Sequence, residues 1–477
     1  MKALPLVGNS GPVLLQRETF AAYIQKIYDL SKEAKYVGFY DFHQPVIMIR
    51  DPELIRSITV KNFDHFVNHR TLVDPDVDAL FGGNLFSLKD NKWREMRNLL
   101  SPAFTSSKMK AMFKLMSNCA ENFSNYLASQ AEKEELEVDS KDIFTRYTND
   151  VIATCAFGIS VDSMKNRENE FYTLGRKATT FTTFTLVKFM LAMRLPWLAK
   201  IFNMKILGSR FEQFFLELVK ETVETRDREG ISRPDMIQLM MDSRNIKSGE
   251  GPQLTLVEMT SQAMVFFFGG FETVSTLMCF LAHMISIHPE VQKKIHDEID
   301  DVLERCQGEV TYEAINSMPY LEAVMYETMR LYPVLPAVDR VCSQEFELPP
   351  ALPGKKPVIL KPGENVVLPV YALHRNPHYF SDPDNFSPER FMEDPKGMLN
   401  NPAFLPFGVG PRMCIGNRFA LLETKALIFH IMTKCSLQPG KKMILPLELS
   451  TKLAAMTAKG GFWLKLTPRN EGKVKNL

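Results

Sequence analysis

Apolar residues along this chain recur mostly at helical spacing, and three stretches depart from it. Long helical patterns dominate, with short alternating segments near Lys35 to Ile49, Pro357 to Leu368 and the C-terminus that predict strands. Between Ser261 and Ile287 the run A-M-V-F-F-F-G-G-F-E-T-V-S-T-L-M-C-F-L-A-H-M-I is too apolar on every side for a surface helix. Gly269, Gly270, Glu272 and Thr273 interrupt it, so no stretch reaches the roughly 18 apolar residues that a membrane span needs. A long core helix is predicted. Two adjacent glycines cost about 1 kcal/mol each relative to alanine inside a helix, which invites a kink or bulge there. Close packing against a neighbour is the ordinary alternative for such a pair. From Thr183 to Phe202, T-F-T-L-V-K-F-M-L-A-M-R-L-P-W-L-A-K-I-F combines apolar residues with spaced cations. That pattern suits either insertion at a membrane interface or a buried core helix.

No Gly/Ser linker, low-complexity tract or internal repeat divides the 477 residues, although length alone would suggest about three domains. The expectation is one large, mainly α domain with a minor β region, spanning 1–477. An apolar fraction of 45% is ample for its core. Seven cysteines, an odd number without C-x-x-C pairs, point to a reducing compartment rather than a disulfide framework, and zinc-ligand spacing is absent. A net charge of +1 gives no reason to expect nucleic acid as a partner.

Candidate chemistry concentrates in F-G-V-G-P-R-M-C-I-G, Phe407 to Gly416. Glycines at 408, 410 and 416 let the backbone turn tightly and approach a flat ligand. Pro411 stiffens the turn, and Arg412 offers a guanidinium suited to a carboxylate. The following R-F-A-L-L-E-T-K-A-L-I-F-H reads as a helix from Asn417, which places Cys414 just before a helix N-terminus, where a thiolate is favoured over a thiol. A buried structural cysteine is the commoner fate of such a residue. A dinucleotide fingerprint fails, because Met413 occupies its third glycine position. Upstream, Y-E-T-M-R-L-Y-P sets Glu327 and Arg330 on one helix face within salt-bridge reach. Apolar Met325, Tyr326, Met329 and Leu331 around them argue that the pair is buried rather than superficial. Trp93 and Arg97, four apart in K-W-R-E-M-R, share another face.

Taken together, these motifs resemble the cytochrome P450 family of haem-thiolate monooxygenases. The ligand loop agrees at Phe407, Gly410, Arg412, Cys414 and Gly416, and the resemblance runs from about Pro5 to about Leu466. It implies haem b with Cys414 as its thiolate ligand to iron, and Trp93, Arg97, Arg340, Phe407, Arg412 and Gly416 around the cofactor. It implies a structural triad in which Arg390, from N-F-S-P-E-R-F, joins Glu327 and Arg330. G-G-F-E-T implies a groove over the haem with Glu272 and Thr273 as an acid–alcohol pair relaying protons to dioxygen. Substrate walls implied by position are Phe86, Val265, Phe268, Gly269, Val334, Leu335 and Ala337, together with Ala454 in the stretch Leu453 to Met456.

The activity implied is insertion of one oxygen atom of O2 into an apolar small molecule such as a xenobiotic, steroid or lipid. Electrons would come from NADPH through a flavoprotein reductase, with cytochrome b5 as a second donor. Peroxide-rearranging or peroxide-using enzymes of this fold commonly lack the acid–alcohol pair, and a non-catalytic ligand-binding protein is the remaining alternative. Between Lys89 and Lys114 seven basic residues face only two acids, Asp90 and Glu95, which is either a solvated face or a landing patch for an acidic reductase. The opening M-K-A-L-P-L-V-G-N resembles the segment after the anchor and proline hinge of microsomal members, as in vertebrate drug-oxidising and insect xenobiotic-oxidising enzymes. The expectation is therefore a chain shortened at its anchor, from a protein of the endoplasmic reticulum membrane facing the cytoplasm.

Overall fold

The computed structural model describes residues 7–180, 183–202, 204–233, 235–243, 254–452 and 456–469. Ten of its helices matter for the site: α1 (Ala79–Gly82), α2 (Asp90–Leu100), α3 (Ser106–Ala131), α4 (Ser140–Ile152), α5 (Thr183–Arg194), α6 (Pro196–Ile201), α7 (Ser209–Glu229), α8 (Leu256–Ile287), α9 (Pro319–Leu331) and α10 (Asn417–Lys434). The architecture is mainly α, as the spacing of apolar residues predicts.

Helix α8 runs through the middle. Its start is set by a reciprocal cap, in which the Glu258 N–H donates to Thr255 Oγ1 at 3.2 Å and the Thr255 N–H to Glu258 Oε2 at 2.8 Å. By length and composition this helix could cross a membrane, yet 67% of its most apolar window is buried by protein. Every residue from Val274 to Ser286 is buried, which is why the segment is apolar all round. Across Gly269–Val274 the helix widens into a π turn, the bulge that the paired glycines predict. Helix α3 lies against α10, and α4 packs on the π turn and the second half of α8.

Three small sheets complete the fold. The largest has the order β1 (Tyr36–Asp41), β2 (Gln44–Ile49), β7 (Asn365–Leu368), β4 (Val338–Val341), with β2 and β7 parallel and the other pairs antiparallel. A three-stranded sheet orders β3 (Leu136–Asp139), β9 (Trp463–Pro468), β8 (Cys435–Pro439), and β5 (Phe346–Leu348) pairs with β6 (Val358–Leu360). Strands β3, β4 and β5 have no counterpart in the sequence reading. Each is three or four residues long, too short to show alternation, and exists because a partner strand is present.

Residues 183–202 form α5 and α6. Ala192 and Ala199 are buried, while Trp197, Ile201 and Phe202 are 61%, 70% and 68% exposed. The segment is therefore a buried helix on one side only; its other side offers large apolar groups to the surroundings.

Candidate functional site

The Cys414 loop is held by its own backbone. The Cys414 N–H donates to the Phe407 carbonyl at 2.9 Å, and Met413 N–H to Gly410 at 2.9 Å. Gly408 and Gly410 have φ of +75° and +77°, a region open to glycine. At Gly410 a Cβ would also lie 2.1 Å from the Thr59 carbonyl oxygen, so no side chain fits. Gly416 is the residue before α10, as the helix start at Asn417 requires. Burial pushes the Cys414 thiol up, against the Gly416 N–H and the Arg97 charge, which pull it down. A bound metal cation would favour the thiolate, since metal ligation releases the thiol proton.

Cys414 faces a cavity of about 340 Å³ whose wall is predominantly apolar. Phe407 and Gly416 line it beside the thiol, and Val265, Gly269 and Thr273 come from α8. Phe86, Val334 and Leu335 also reach the wall. Into this apolar surround project Trp93, Arg97, Arg340 and Arg412.

The three guanidiniums are differently placed. Arg412 stacks 4.1 Å over the Trp93 ring and donates to the carbonyls of Val67 and Leu88, each at 2.7 Å, with longer bonds to Leu85 and Phe86. Most of its donors are thereby committed to backbone. Burial, with the charges of Arg340 and Arg97, pushes it down to about 9. Arg340, on β4, donates to Asp339 and Val409 carbonyls, but its buried Nε has no partner among the described residues, and burial lowers it to about 10. The Arg97 guanidinium makes no hydrogen bond among the described residues, and burial depresses it as well. Crowded cations with unused donors in an apolar cavity call for an anionic group. A flat, largely apolar ligand with two carboxylates and a metal facing Cys414 fits these residues, and haem is such a ligand.

On α8 the two glycines have separate roles. A Cβ on Gly269 would meet nothing within 4 Å, whereas one on Gly270 would lie 2.2 Å from Ile152 Cδ1. Gly269 thus opens the cavity, and Gly270 admits α4. The Thr273 hydroxyl, on the cavity wall, donates to the Gly269 carbonyl at 2.5 Å. Glu272 departs from expectation: it does not line the cavity, and its carboxylate pairs with Lys141 of α4 at 2.8 Å. Lys141 also donates to Ser275 Oγ at 2.9 Å and Thr276 Oγ1 at 2.8 Å. The pairing with Lys141 turns Glu272 toward α4, while Thr273 faces the cavity.

Two expected wall residues are also not on the wall: Phe268 stacks on Phe211 of α7 at 5.5 Å, and Ala337 packs into the core beside the large sheet. Ala454 lies outside the described residues. Sequence reasoning missed His69, Phe104, Met112, Cys155, Met236 and Phe266, which do line the cavity. Phe266 alone carried a signal, one residue from Val265; the others come from separate elements with no shared motif.

Glu327 and Arg330 are wholly buried on α9 and form a two-pronged pair at 2.8 and 2.9 Å. Arg390 reaches Glu327 Oε1 at 3.1 Å, and the Ser387 N–H donates to the same oxygen at 2.9 Å. Arg330 also donates to the carbonyls of His374, Pro383 and Asn385. His374 carries the connection onward. Its Nδ1 bonds the Arg330 carbonyl at 3.1 Å, leaving Nε2 to accept the Leu405 N–H at 2.8 Å, at the entry to the Cys414 loop. That arrangement requires a neutral ring, and burial with the Arg330 charge holds His374 down at about 3.

Comparison with known proteins agrees with this geometry. The family model described as Cytochrome P450 matches residues 1–464. Similar proteins include Cytochrome P450 9e2 of Blattella germanica, 42% identical over 98% of this chain and 92% of its own length. Probable cytochrome P450 9f2 of Drosophila melanogaster is 41% identical over 97% and 92%, and Cytochrome P450 6j1 of Blattella germanica 34% over 98% and 92%.

Proposed function

The chain belongs to the cytochrome P450 family, a family of haem-thiolate oxidoreductases, and on that premise we propose that it inserts one oxygen atom of O2 into an apolar small molecule, with electrons from NADPH delivered by a flavoprotein reductase. The observation that carries this reading is a cysteine facing an apolar cavity that also holds three arginines with no carboxylate partner among the described residues. Cys414 is the ligand to haem iron; Arg97 and Arg340 have donors free for the haem carboxylates, and Arg412 and Trp93 form the stacked support behind them. Bound haem supplies dioxygen activation, in which a thiolate ligand favours O–O cleavage.

The residues of the chain do the rest. Val265, Val334, Leu335 and Phe86 hold an apolar substrate and exclude water. Gly269 leaves room beside Thr273, whose hydroxyl on the cavity wall passes protons there. Glu272, tied to Lys141, serves as an outer proton source rather than a group inside the cavity. Exposed Lys108 and Lys114 of α3 belong to the basic run that suits an acidic reductase or cytochrome b5. Trp197, Ile201 and Phe202 suit contact with the endoplasmic reticulum membrane, and the chain works as one catalytic unit.

The test is optical and then chemical. The reduced protein with carbon monoxide should give the red-shifted band of thiolate-ligated haem, and Cys414→Ala should lose it. Product should then form with NADPH and reductase. Product formed only with added peroxide would sink the reductase-dependent reading.

A further inference from the structure

One wall of the cavity is built from residues that belong to no motif. Ile152 comes from the end of α4, Cys155 and Ala156 from the π turn Ala153–Phe157 that follows it, and Met236 from a short helix, Met236–Ser243. That short helix packs on the π turn 153–157, on the first half of α8 and on α2, which carries Trp93 and Arg97. It therefore touches three elements that bound the cavity.

Behind Met236 a buried ion pair fixes the helix in place. Gly230, at φ +64°, ends α7, and the chain turns back to bring Asp235 onto Arg226 in the last turn of α7. Both side chains are 4% exposed and meet in a two-pronged contact, Nη1 to Oδ1 at 2.7 Å and Nη2 to Oδ2 at 2.5 Å. Asp235 Oδ1 also accepts the Gln238 N–H at 2.9 Å, one of the unpaired donors at the start of the short helix. On its other flank the pair lies against Gly158, which closes the π turn 153–157 at φ +71°. A Cβ there would lie 2.5 Å from Arg226 Nη2 and 2.8 Å from Asp235 Oδ2, and Arg233 donates to the Gly158 carbonyl at 2.8 Å. One ion pair thus ties together the end of α7, the turn bearing Cys155 and Ala156, and the helix bearing Met236.

Desolvating two charges cancels much of what their attraction gains, so such a pair adds little net stability over apolar residues of the same size. What it adds is direction. A planar guanidinium and a carboxylate meet in one geometry, whereas apolar side chains can slide over one another. Neither Arg226 nor Asp235 lines the cavity, so the pair acts only through the wall it holds. We propose that Arg226 and Asp235 are positioning residues that set the Cys155, Ala156 and Met236 wall against the haem and so govern how firmly the cofactor is held. This rests on the reading that haem fills the cavity. The wall offers no charge, which suits the hydrocarbon part of a ligand whose carboxylates go to the arginines. A gap of about 0.5–1 Å forfeits roughly a quarter to a half of each packing contact, so a slight retreat of the wall loosens the ligand.

Haem release, read by transfer from the haem-loaded full chain to excess apomyoglobin, tests this alongside the thermal midpoint of the same samples. Arg226→Lys keeps the charge but replaces the two-pronged contact with a single one. It should release haem about tenfold faster, the worth of one hydrogen bond between charged groups. The double variant Arg226→Met with Asp235→Leu strands no charge, so its midpoint should stay at or above that of the wild type. Its haem should nevertheless leave at least about tenfold faster, because the direction supplied by the pair is gone. A pair that served only stability would move release and midpoint together. Wild-type release from the double variant, release that follows the midpoint in both variants, or a double variant unable to fold would each overturn the inference. A wild-type chain that takes up no haem would instead overturn the oxygenase reading, a result distinct from these.

Discussion

At the scale of single residues, Thr273 and Glu327 are the most exposed to test, for opposite reasons. Thr273→Ala removes a hydroxyl on the cavity wall but leaves Cys414 and the arginines untouched. Carbon monoxide binding should change little, while product formed per NADPH falls as reducing equivalents escape to peroxide. One general acid–base contribution is about 10²–10⁴-fold, and water entering beside Gly269 should replace part of it. Because Lys141 holds Glu272 off the wall, Glu272→Ala should have the smaller effect on coupling; equal silence of both variants would send the protons by another route. Glu327→Ala instead strands Arg330 in the interior, costing roughly 3–5 kcal/mol, and should show as lost haem incorporation in purified protein. A haem-loaded, fully stable variant would contradict that. The pairing of Glu327 with Arg330 was legible from a three-residue spacing; the link from Arg330 through His374 to Leu405 was not, since those residues are brought together only by the fold.

At the scale of elements, the π turn in α8 separates two glycines that look alike in sequence. Gly270→Ala places a methyl group into Ile152 and should cost about 1–3 kcal/mol, seen as a lowered thermal midpoint. Gly269→Ala meets no atom and gains about 1 kcal/mol of helix propensity, so the midpoint should hold or rise while substrate preference narrows. Equal loss of stability in both would mean that the glycines serve the turn and not the neighbours. The bulge itself was readable, because paired glycines in an apolar helix are costly. Which glycine faces α4 and which faces the cavity was not, since that depends on how α4 lies across the turn. The same holds for β4: nothing in Val338–Val341 announces a strand, yet its pairing with β7 helps place Arg340 on the cavity wall.

At the scale of the whole molecule, buried neutral histidines make the fold acid-sensitive. His374 is held at about 3, and His283 and His430 at about 4, each chiefly by burial. Unfolded chain takes up these protons near pH 6.5, the folded protein only below those lower values. Stability should therefore be intact above about pH 6.5 and fall as pH drops, by about 1.4 kcal/mol per unit for His374 alone. Denaturant unfolding between pH 7 and 5 checks this, and stability that rose on acidification would contradict it. The sequence by itself determined the family, the ligand Cys414, the core helix α8 and the buried Glu327–Arg330 pair. Each depends on residues close together in the chain, where spacing dictates geometry. Tertiary structure decided which arginines keep free donors, that Glu272 belongs to Lys141, and that His374 joins Arg330 to Leu405. Those outcomes depend on competition among groups far apart in the chain, and only packing brings the competitors within reach of one another.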